Sequence, residues 1–518
     1  MDRKSARKLK KSMKKSCTWK AKMYRIPKYT PEFDQFDMVF GGSLKADNRW
    51  VILASLIPWK DVEEKYSKLF VANNGRPAIP VRVALGALII KEKKNLSDEE
   101  LVEDIRESPY LQFFLGYEGY KYEIPFDPSM MVHFRKRLSA DILKEVNALI
   151  IEKSNADDEH HDDDNSGSAY GEGEPKEPEN KGTLIVDATC APEDMRFPHD
   201  VTLLDEARMK TERIIDTLQK EMPEGWEKPR TYRKKARKEF LTFIRNRKPR
   251  VNTIKRALKT QIQYVERNLR LINEYKDKVG ISILSRKQRQ DLWVIGELVR
   301  QQRELYRSDT WSIEGRILSI SKPWVRPIAR GKARGMYEFG AKLSLSLVGG
   351  MAEVYRLSWD SYNECKDLKG QIEGYKQRYG RYPEAVCADK IYRTRENLQY
   401  CQEYGIRLSG PKLGRPFKDN GKNKERIREQ KIIEREDESM RIAVEGKFGE
   451  GKRRYTLDRI GTKLKETSES SIMMVFLVMN LMVLVRRKAK AFFVSLVDTI
   501  IEMAERLSFI PMGLLRAA

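Results

Sequence analysis

The segment TLIVDATC, residues 183–190, decides the fold class of this chain. Its apolar and β-branched residues are typical of a buried strand, and Asp187 lies within it. Strand and helix patterns alternate further along the chain, which predicts a mixed sheet with helices packed on it. In chain order they are a hairpin at 339–359 turning at Gly349-Gly350, a helix at 360–379, a strand at 384–389 that ends at Asp389, a helix, a strand at 405–410, and a charged helix that carries Glu445.

Carboxylates at the strand ends of a mixed sheet suggest a divalent metal site. A ribonuclease-H-like fold builds a two-metal site in this way, from acids on non-adjacent segments. Mg²⁺ prefers carboxylate and water oxygens, and two such ions can clamp the attacking and leaving oxygens of a phosphodiester. An aspartate near a strand end is more often a cap or a turn former, so this pattern alone leaves both interpretations open.

Composition narrows the classes of protein that the chain can form. It has 518 residues, enough for two to four domains, and its 40% hydrophobic content excludes wholesale disorder. A charged fraction of 34% excludes a polytopic membrane protein. The five cysteines form no CxxC pair, which favours a reducing, cytoplasmic location. The four histidines leave little room for a histidine-based zinc site or a Ser-His-Asp triad.

The charge of the chain is +24 and is unevenly distributed. Residues 1–28 hold twelve Lys or Arg and one acid, and residues 228–260 hold fourteen and one. Residues 157–179 are the opposite, with ten acids and a single lysine. Since basic surfaces bind polyanions by releasing counterions, this surplus predicts a nucleic-acid partner rather than a membrane.

Two further stretches of the sequence predict helices. SIMMVFLVMNLMVLV, residues 471–485, is apolar apart from Asn480 and spans roughly 22 Å as a helix, short of the ~30 Å membrane core, so we predict a buried helix. Residues 129–139 predict a helix that could bind DNA as part of a helix-turn-helix-like motif, and a plain helical bundle is an equally open alternative.

These patterns divide the chain into six predicted segments. The segments are a basic arm (1–40), a helical domain of DNA-binding type (41–153), an acidic disordered linker (154–181), a catalytic domain (182–202 and 311–486), a basic helical insertion (203–310) and a C-terminal helical segment (487–518).

Four sequence blocks carry a family resemblance. GTLIVDATCAPED (182–194), PEAVCADKIYRTRENLQYC (383–401) and RIAVEGKFGEGKRRYTLDRI (441–460) resemble the three catalytic blocks of DDE-type bacterial insertion-sequence transposases. PFDPSMMVHFRKRLS (125–139) resembles the segment that closes their helical N-terminal domain. The resemblance implies an α+β protein with a ribonuclease-H-like catalytic domain behind a small all-helical domain. It also implies a metal-binding triad of Asp187, Asp389 and Glu445 that holds two Mg²⁺, with Mn²⁺ as a substitute.

One branch of that family carries the signature Y-x2-R-x3-E-x6-K on the helix of the glutamate. Arg441, Glu445 and Lys452 match it and fall on one helix face, whereas Glu438 occupies the tyrosine position. The alternative for this pattern is a surface ion pair with solvated neighbours. Further DNA contacts are expected at basic residues beyond Asp389, in the insertion and in helix 129–139, namely Lys390, Arg393, Lys234, Lys235, Arg135 and Arg137.

The resemblance implies an insertion-sequence transposase. Such an enzyme cuts double-stranded DNA at the terminal inverted repeats of its element and joins the freed 3′-OH to target DNA, and a homodimer on DNA is expected. A nuclease without strand transfer and a domesticated, non-catalytic DNA-binding protein are the alternatives.

Overall fold

A computed structural model of the protein describes residues 32–38, 41–68, 70, 78–162, 179–227, 229–329, 337–411 and 424–508. Most of the predicted basic arm (1–40) lies outside the described residues. The same holds for residues 163–178 of the predicted linker and for residues 509–518 of the C-terminal segment.

Seven helices precede the sheet in the described part of the chain. Local signals set their ends: Ser97 forms a capping box with Glu100, and Asn95 ends the preceding helix in the left-handed conformation. They are α1 (Arg49–Leu56), α2 (Trp59–Ser67), α3 (Val81–Lys94), α4 (Asp98–Glu107), α5 (Pro109–Phe114), α6 (Met130–Arg137) and α7 (Ala140–Asp162).

Helix α7 corrects the predicted start of the acidic linker at residue 154. The helix continues to Asp162, so nine residues of the predicted linker are helical. Ser154 is buried, and its Oγ accepts a hydrogen bond from Arg487 Nη1 at 3.1 Å. Composition misplaced this boundary because the last turns of α7 carry many acids, which are also frequent in disordered segments.

A six-stranded mixed sheet follows. Strand β1 runs antiparallel to β3 and parallel to β5, and β5 runs parallel to β6, while β2 and β4 both pair antiparallel with β3. Gly349 and Gly350 make the predicted β3–β4 turn with φ of 55° and 82°, a left-handed conformation that glycine adopts without steric cost. The strands are β1 (Thr183–Pro192), β2 (Arg326–Ala329), β3 (Tyr337–Val348), β4 (Met351–Ser358), β5 (Ala385–Cys387) and β6 (Arg407–Leu408).

The predicted helical insertion lies between β1 and β2. Its helices pack on one another around apolar clusters that are separate from the cores of the sheet. Within α8, the buried Arg208 forms ion pairs with two buried acids, Asp205 at 2.5 Å and Glu212 at 2.6 Å. The helices are α8 (Asp200–Gln219), α9 (Arg233–Arg245), α10 (Val251–Val279) and α11 (Arg286–Ser308).

The remaining helices are α12 (Leu368–Tyr379), α13 (Arg395–Glu403), α14 (Lys424–Arg454) and α15 (Lys465–Ser508). Helix α15 contains the apolar run at 471–485, and it continues without a break to Ser508. The predicted C-terminal helical segment from residue 487 is, as far as Ser508, the continuation of this same helix. Residues 465–501 are long and apolar enough to cross a membrane, but 78% of their most apolar window is buried inside the protein. The prediction of a buried core helix agrees with this burial.

The N-terminal helices and the sheet share one hydrophobic core. Helix α15 runs through that core and contacts α1, α3, α6, α7 and β4. The prediction of a self-contained helical domain at 41–153 missed this common core. Residues of α7 and α15 are far apart in sequence, and no local pattern indicates that they pack together.

Candidate carboxylate site

Strand pairing brings the two candidate aspartates to neighbouring positions. In the parallel β1–β5 ladder Ile185 lies beside Cys387, and Asp187 and Asp389 each follow two residues later. Asp389 caps the short helical turn Lys390–Tyr392 by accepting a hydrogen bond from the backbone N–H of Lys390 at 2.6 Å. Asp389 therefore lies just after the end of β5, next to the middle of β1.

Helix α14 contacts both β1 and β5 and carries Arg441 and Glu445. Arg441 Nη1 donates to Asp389 Oδ1 at 3.4 Å, and its Nη2 donates to Glu445 Oε1 at 3.0 Å. The guanidinium thus bridges two of the three predicted triad carboxylates. The i,i+4 ion pair that was the alternative for this pattern is present, and the same arginine also reaches the strand end of Asp389.

Asp187 is partly buried within strand β1, whereas Glu445 is exposed. Burial raises the pKa of Asp187 to about 6, while the backbone N–H of Ala188 and the Arg441 guanidinium lower it and the charges of Asp389 and Glu445 raise it. The Ala188 N–H donates to Asp187 Oδ1 at 2.8 Å. All three carboxylates and Arg441 therefore lie within one electrostatic neighbourhood.

The donor set of this site suits a hard divalent cation. It consists of carboxylate oxygens, and the anion of the partly buried Asp187 lacks enough compensating positive charge. No group of three acidic, histidine or cysteine side chains in the described residues is close enough together to hold a metal ion as it stands. The Arg441 guanidinium hydrogen-bonds two of the carboxylates, and its positive charge opposes the binding of a cation beside them.

A buried aspartate anchors α14 to the sheet and was missed by the sequence analysis. Asp437 accepts from Arg407 Nη1 at 2.7 Å, and the thiol of Cys387 donates to it at 3.7 Å. It precedes Arg441 by four residues, so the spacing already placed it on the same helix face. Its role as an anchor depends on residues of β5 and β6 that no local pattern connects to it.

A buried ion pair fixes the far end of β1 and was also missed. Lys322 Nζ donates to Glu193 at 2.5 Å and to the backbone carbonyl of Ile460 at 3.4 Å, and both charged side chains are buried. Ile460 follows α14 in the chain and forms a β-bridge with Glu193. This contact holds the segment after α14 against the strand that carries Asp187.

Several predicted DNA contacts are engaged inside the protein. Arg135 forms two hydrogen bonds to Asp98, at 3.0 and 2.8 Å, and Arg137 lies over the ring of Phe70. Arg393 Nη1 donates to the carbonyl of Leu408 at 2.8 Å. These guanidinium groups have partners within the protein, and their contacts to DNA stay predictions. No local sequence pattern indicates these partners, because they lie on other elements or in distant segments.

The other predicted DNA contacts lie at the surface. Lys234 and Lys235 are exposed on α9 of the insertion, and Lys390 is exposed beside Asp389. Lys452 is partly exposed, near the end of the helix that bears Glu445. These four lysines remain candidates for contacts to DNA phosphates.

By fold and site, the protein is a mixed α/β protein in which Arg441, on a helix, hydrogen-bonds Asp389 and Glu445 close to Asp187 of a neighbouring strand. Its sequence matches two transposase families. Residues 386–482 match the transposase DDE domain, which includes Asp389 and Glu445, and residues 39–137 match a transposase domain (DUF772) that covers α1 to α6. These matches confirm the resemblance to DDE-type transposases.

One relative is described as uncharacterized protein ORF8 in the nfe locus of Rhizobium meliloti. It is 34% identical over 153 residues, which is 30% of this chain and 66% of that protein. No solved structure matches the chain. Strand β1 with Asp187, and the whole helical insertion, lie outside both family matches.

Proposed function

We propose that this chain is a transposase that cleaves DNA at the ends of an insertion sequence and joins them to target DNA. The observation that carries the proposal is the bridge from Arg441 to Asp389 and Glu445 beside the partly buried Asp187. The sheet would be of the ribonuclease-H-like kind. The two family matches supply the transposase class, and the carboxylate site supplies a place for the chemistry.

Asp187, Asp389 and Glu445 would hold two Mg²⁺ ions, with Mn²⁺ as a substitute. Bound there, the metal would supply Lewis-acid stabilisation of charge on the phosphate oxygens during in-line displacement. Asp187, fixed by the Ala188 N–H on a central strand, would give the site its least mobile ligand. Glu445 is exposed and on a helix, so it can adjust to the substrate.

Arg441 would change partners when DNA binds. Without DNA it neutralises two carboxylates that would otherwise repel each other. A DNA phosphate offers a guanidinium a pair of oxygens with geometry similar to a carboxylate. The arginine would then turn from Asp389 and Glu445 to the phosphate backbone and leave the carboxylates free to bind cations.

The exposed basic face of the insertion would hold the DNA. Lys234 and Lys235 lie on α9 within the basic block 228–260, in a unit attached to the sheet directly after β1. The binding would depend on phosphate charge, and thus on salt, rather than on base sequence. A homodimer on DNA would pair the two ends of the element.

The test uses linear DNA carrying the inverted repeats that flank the coding region, together with the full-length protein and Mg²⁺. We expect cleavage at the repeat ends and joining of their 3′-OH to a second DNA molecule, with both products lost in Asp187→Asn. Cleavage without joining would assign a nuclease, and DNA binding without any metal-dependent cleavage would assign a non-catalytic binding protein. Glu123→Gln, an exposed acid-to-amide change in the segment before α6 and outside the carboxylate site and the insertion, is the matched control and should react like the wild type.

A further inference from the structure

A group of basic side chains lies where the end of α14 meets the N-terminal helices and α15. Arg454 ends α14, Lys93 is next to last in α3, and Arg49 begins α1. Arg486 lies on α15, two residues after the buried Leu484. These three arginines and one lysine, from four different helices, are called the basic junction below.

The cations of the basic junction lie close enough to act on one another. Lys93 Nζ lies over the ring of Tyr455, 5.9 Å from its centroid, and Tyr455 directly follows the last residue of α14. Burial lowers the pKa of Lys93, and so do the charges of the three arginines of the junction, whereas Glu450 raises it. Like charges gathered in this way repel one another unless an anion binds among them.

The acids beside the basic junction leave most of its charge uncompensated. Glu450 pairs with Arg486 at 3.4 Å. Glu92 is buried and accepts hydrogen bonds from the backbone N–H and the hydroxyl of Thr456, both at 3.0 Å. Asp47, just before α1, is exposed and has no ion pair within the described residues. One of the four cations is therefore paired with an acid.

This surplus of positive charge faces solvent. Arg49 and Arg454 are exposed, and the side chain of Arg486 is 56% exposed. Guanidinium groups bind phosphate oxygens through paired N–H donors. A surface with several of them suits an anion that carries many phosphates, and the two transposase matches make DNA the partner of that chemistry.

The basic junction lies on the side of α14 away from Glu445. Arg454 follows Glu445 by about two and a half helical turns, so the two side chains leave the helix on opposite sides. Lys452 follows Glu445 by about two turns and shares its side. A phosphate at the junction would therefore be distinct from the phosphates at the carboxylate site.

We propose that the basic junction binds the phosphate backbone of DNA at a place separate from the carboxylate site. Arg49 and Lys93 fall within the N-terminal family match, and Arg454 falls within the DDE match. DNA bound there would contact both parts and hold the N-terminal helices against the helix of Glu445. The proposal rests on the proposed function for its partner, DNA, but needs neither metal nor cleavage.

The test is the DNA affinity of the full-length protein, measured by fluorescence anisotropy in EDTA at several salt concentrations. Arg49→Gln with Arg454→Gln should weaken binding at least about tenfold. The log–log salt dependence should become shallower by about 1.8, or about 0.9 for each lost phosphate contact. Arg49→Lys with Arg454→Lys keeps both charges and should keep a slope close to that of the wild type.

Lys366→Gln with Lys369→Gln is the matched control. It removes the same charge around the start of α12, whose apolar residues pack in a different cluster from those of α14, and it should leave the affinity within about twofold. An unchanged affinity and slope in the Arg49 and Arg454 glutamine variant would overturn the proposal. An equal loss in the control would do the same, because the effect would then follow net charge alone.

Two further measurements separate the remaining outcomes. Calorimetry with inorganic phosphate tests for a free anion: binding that the glutamine variant loses, with its DNA affinity unchanged, would assign the junction to free phosphate and overturn the proposal. A wild type that binds no DNA would overturn both this proposal and the proposed function. Circular dichroism of each variant checks that the fold is intact.

Discussion

Asn480, the single polar side chain between Ile472 and Val485 of α15, donates a hydrogen bond from Nδ2 to Asn147 Oδ1 on α7 at 2.8 Å. Its Oδ1 accepts from the backbone N–H of Ala352 at 2.8 Å, and its Nδ2 also donates to the Ala352 carbonyl at 2.7 Å. Both asparagines are buried. The pair therefore satisfies backbone groups of β4 where the N-terminal helices, the sheet and α15 meet.

Replacing Asn480 should cost stability. Asn480→Ala removes the side-chain acceptor of the Ala352 N–H and the donor to Asn147 Oδ1 in the core, so the free energy of unfolding should fall by about 2–4 kcal/mol. Urea denaturation followed by circular dichroism measures it. Met482→Leu, two residues further along the same helix and similar in volume, should cost less than about 1.5 kcal/mol. An equal loss of stability in both variants would show that Asn480 contributes through packing and that its hydrogen bonds add nothing.

Proteolysis tests the shared core. The composition of residues 163–178, which lie outside the described residues, predicts that proteases cut there first. A denaturing gel should then show two fragments, while gel filtration should give a single peak at the size of the intact protein, because both fragments contribute to one core. If the fragments separate under native conditions, the N-terminal helices form an independent domain and the shared core does not hold the fragments together.

The raised pKa of Asp187 predicts how stability depends on pH. The folded protein holds the Asp187 proton more tightly than the unfolded chain, so this stabilisation is complete below about pH 4 and is lost as the pH rises to about 6. Asp187→Asn cannot ionise and should be more stable than the wild type at pH 7.5, by up to about 3 kcal/mol.

The measurement is chemical denaturation of both proteins between pH 4.5 and pH 8. The difference in stability should shrink toward the acidic end. Asp389→Asn is the control, because the Asp389 side chain is 49% exposed and its replacement should change stability by about 1 kcal/mol or less. A wild type that is more stable than Asp187→Asn throughout would show that the Asp187 anion is well compensated. Adding Mg²⁺ should narrow the gap by stabilising the wild type alone.

Arg441 should compete with divalent metal. Arg441→Ala removes the positive charge from between Asp389 and Glu445, so Mn²⁺ should bind severalfold more tightly in the absence of DNA, while DNA cleavage falls. Calorimetry with Mn²⁺ measures the affinity. Lys452→Ala removes the same charge from a later turn of α14 and should leave Mn²⁺ affinity within about twofold. Weaker Mn²⁺ binding in Arg441→Ala would mean that the arginine organises the carboxylates rather than blocking them.

The insertion should bind DNA through charge. Lys234→Glu with Lys235→Glu should weaken DNA binding for all sequences and make its salt dependence shallower by about 0.9 for each lost phosphate contact in a log–log plot. Affinity measured at several salt concentrations gives the slope. Asp187→Asn should bind DNA as tightly as the wild type or more tightly. An unchanged slope in the lysine variant would show that Lys234 and Lys235 are solvated and that this part of the insertion does not bind DNA.

Short-range sequence patterns determined most of the secondary structure. The Ser97 capping box, the Gly349-Gly350 turn and the strand carrying Asp187 are each set by steric and hydrogen-bonding preferences of a few neighbouring residues. The apolar run of α15 is buried as predicted, because a helix that is apolar on all sides has no polar face to expose to solvent. The family resemblance also came from the sequence, through blocks spaced along the chain.

Only the tertiary structure decided which partner each charged side chain binds. Arg135, Arg393 and Arg441 look alike in a basic sequence, yet the first two are bound to Asp98 and to the carbonyl of Leu408, while the third bridges Asp389 and Glu445. The partner of an arginine depends on which elements pack beside it. That packing is set by apolar surfaces buried between segments far apart in the chain, so no local window of sequence contains it.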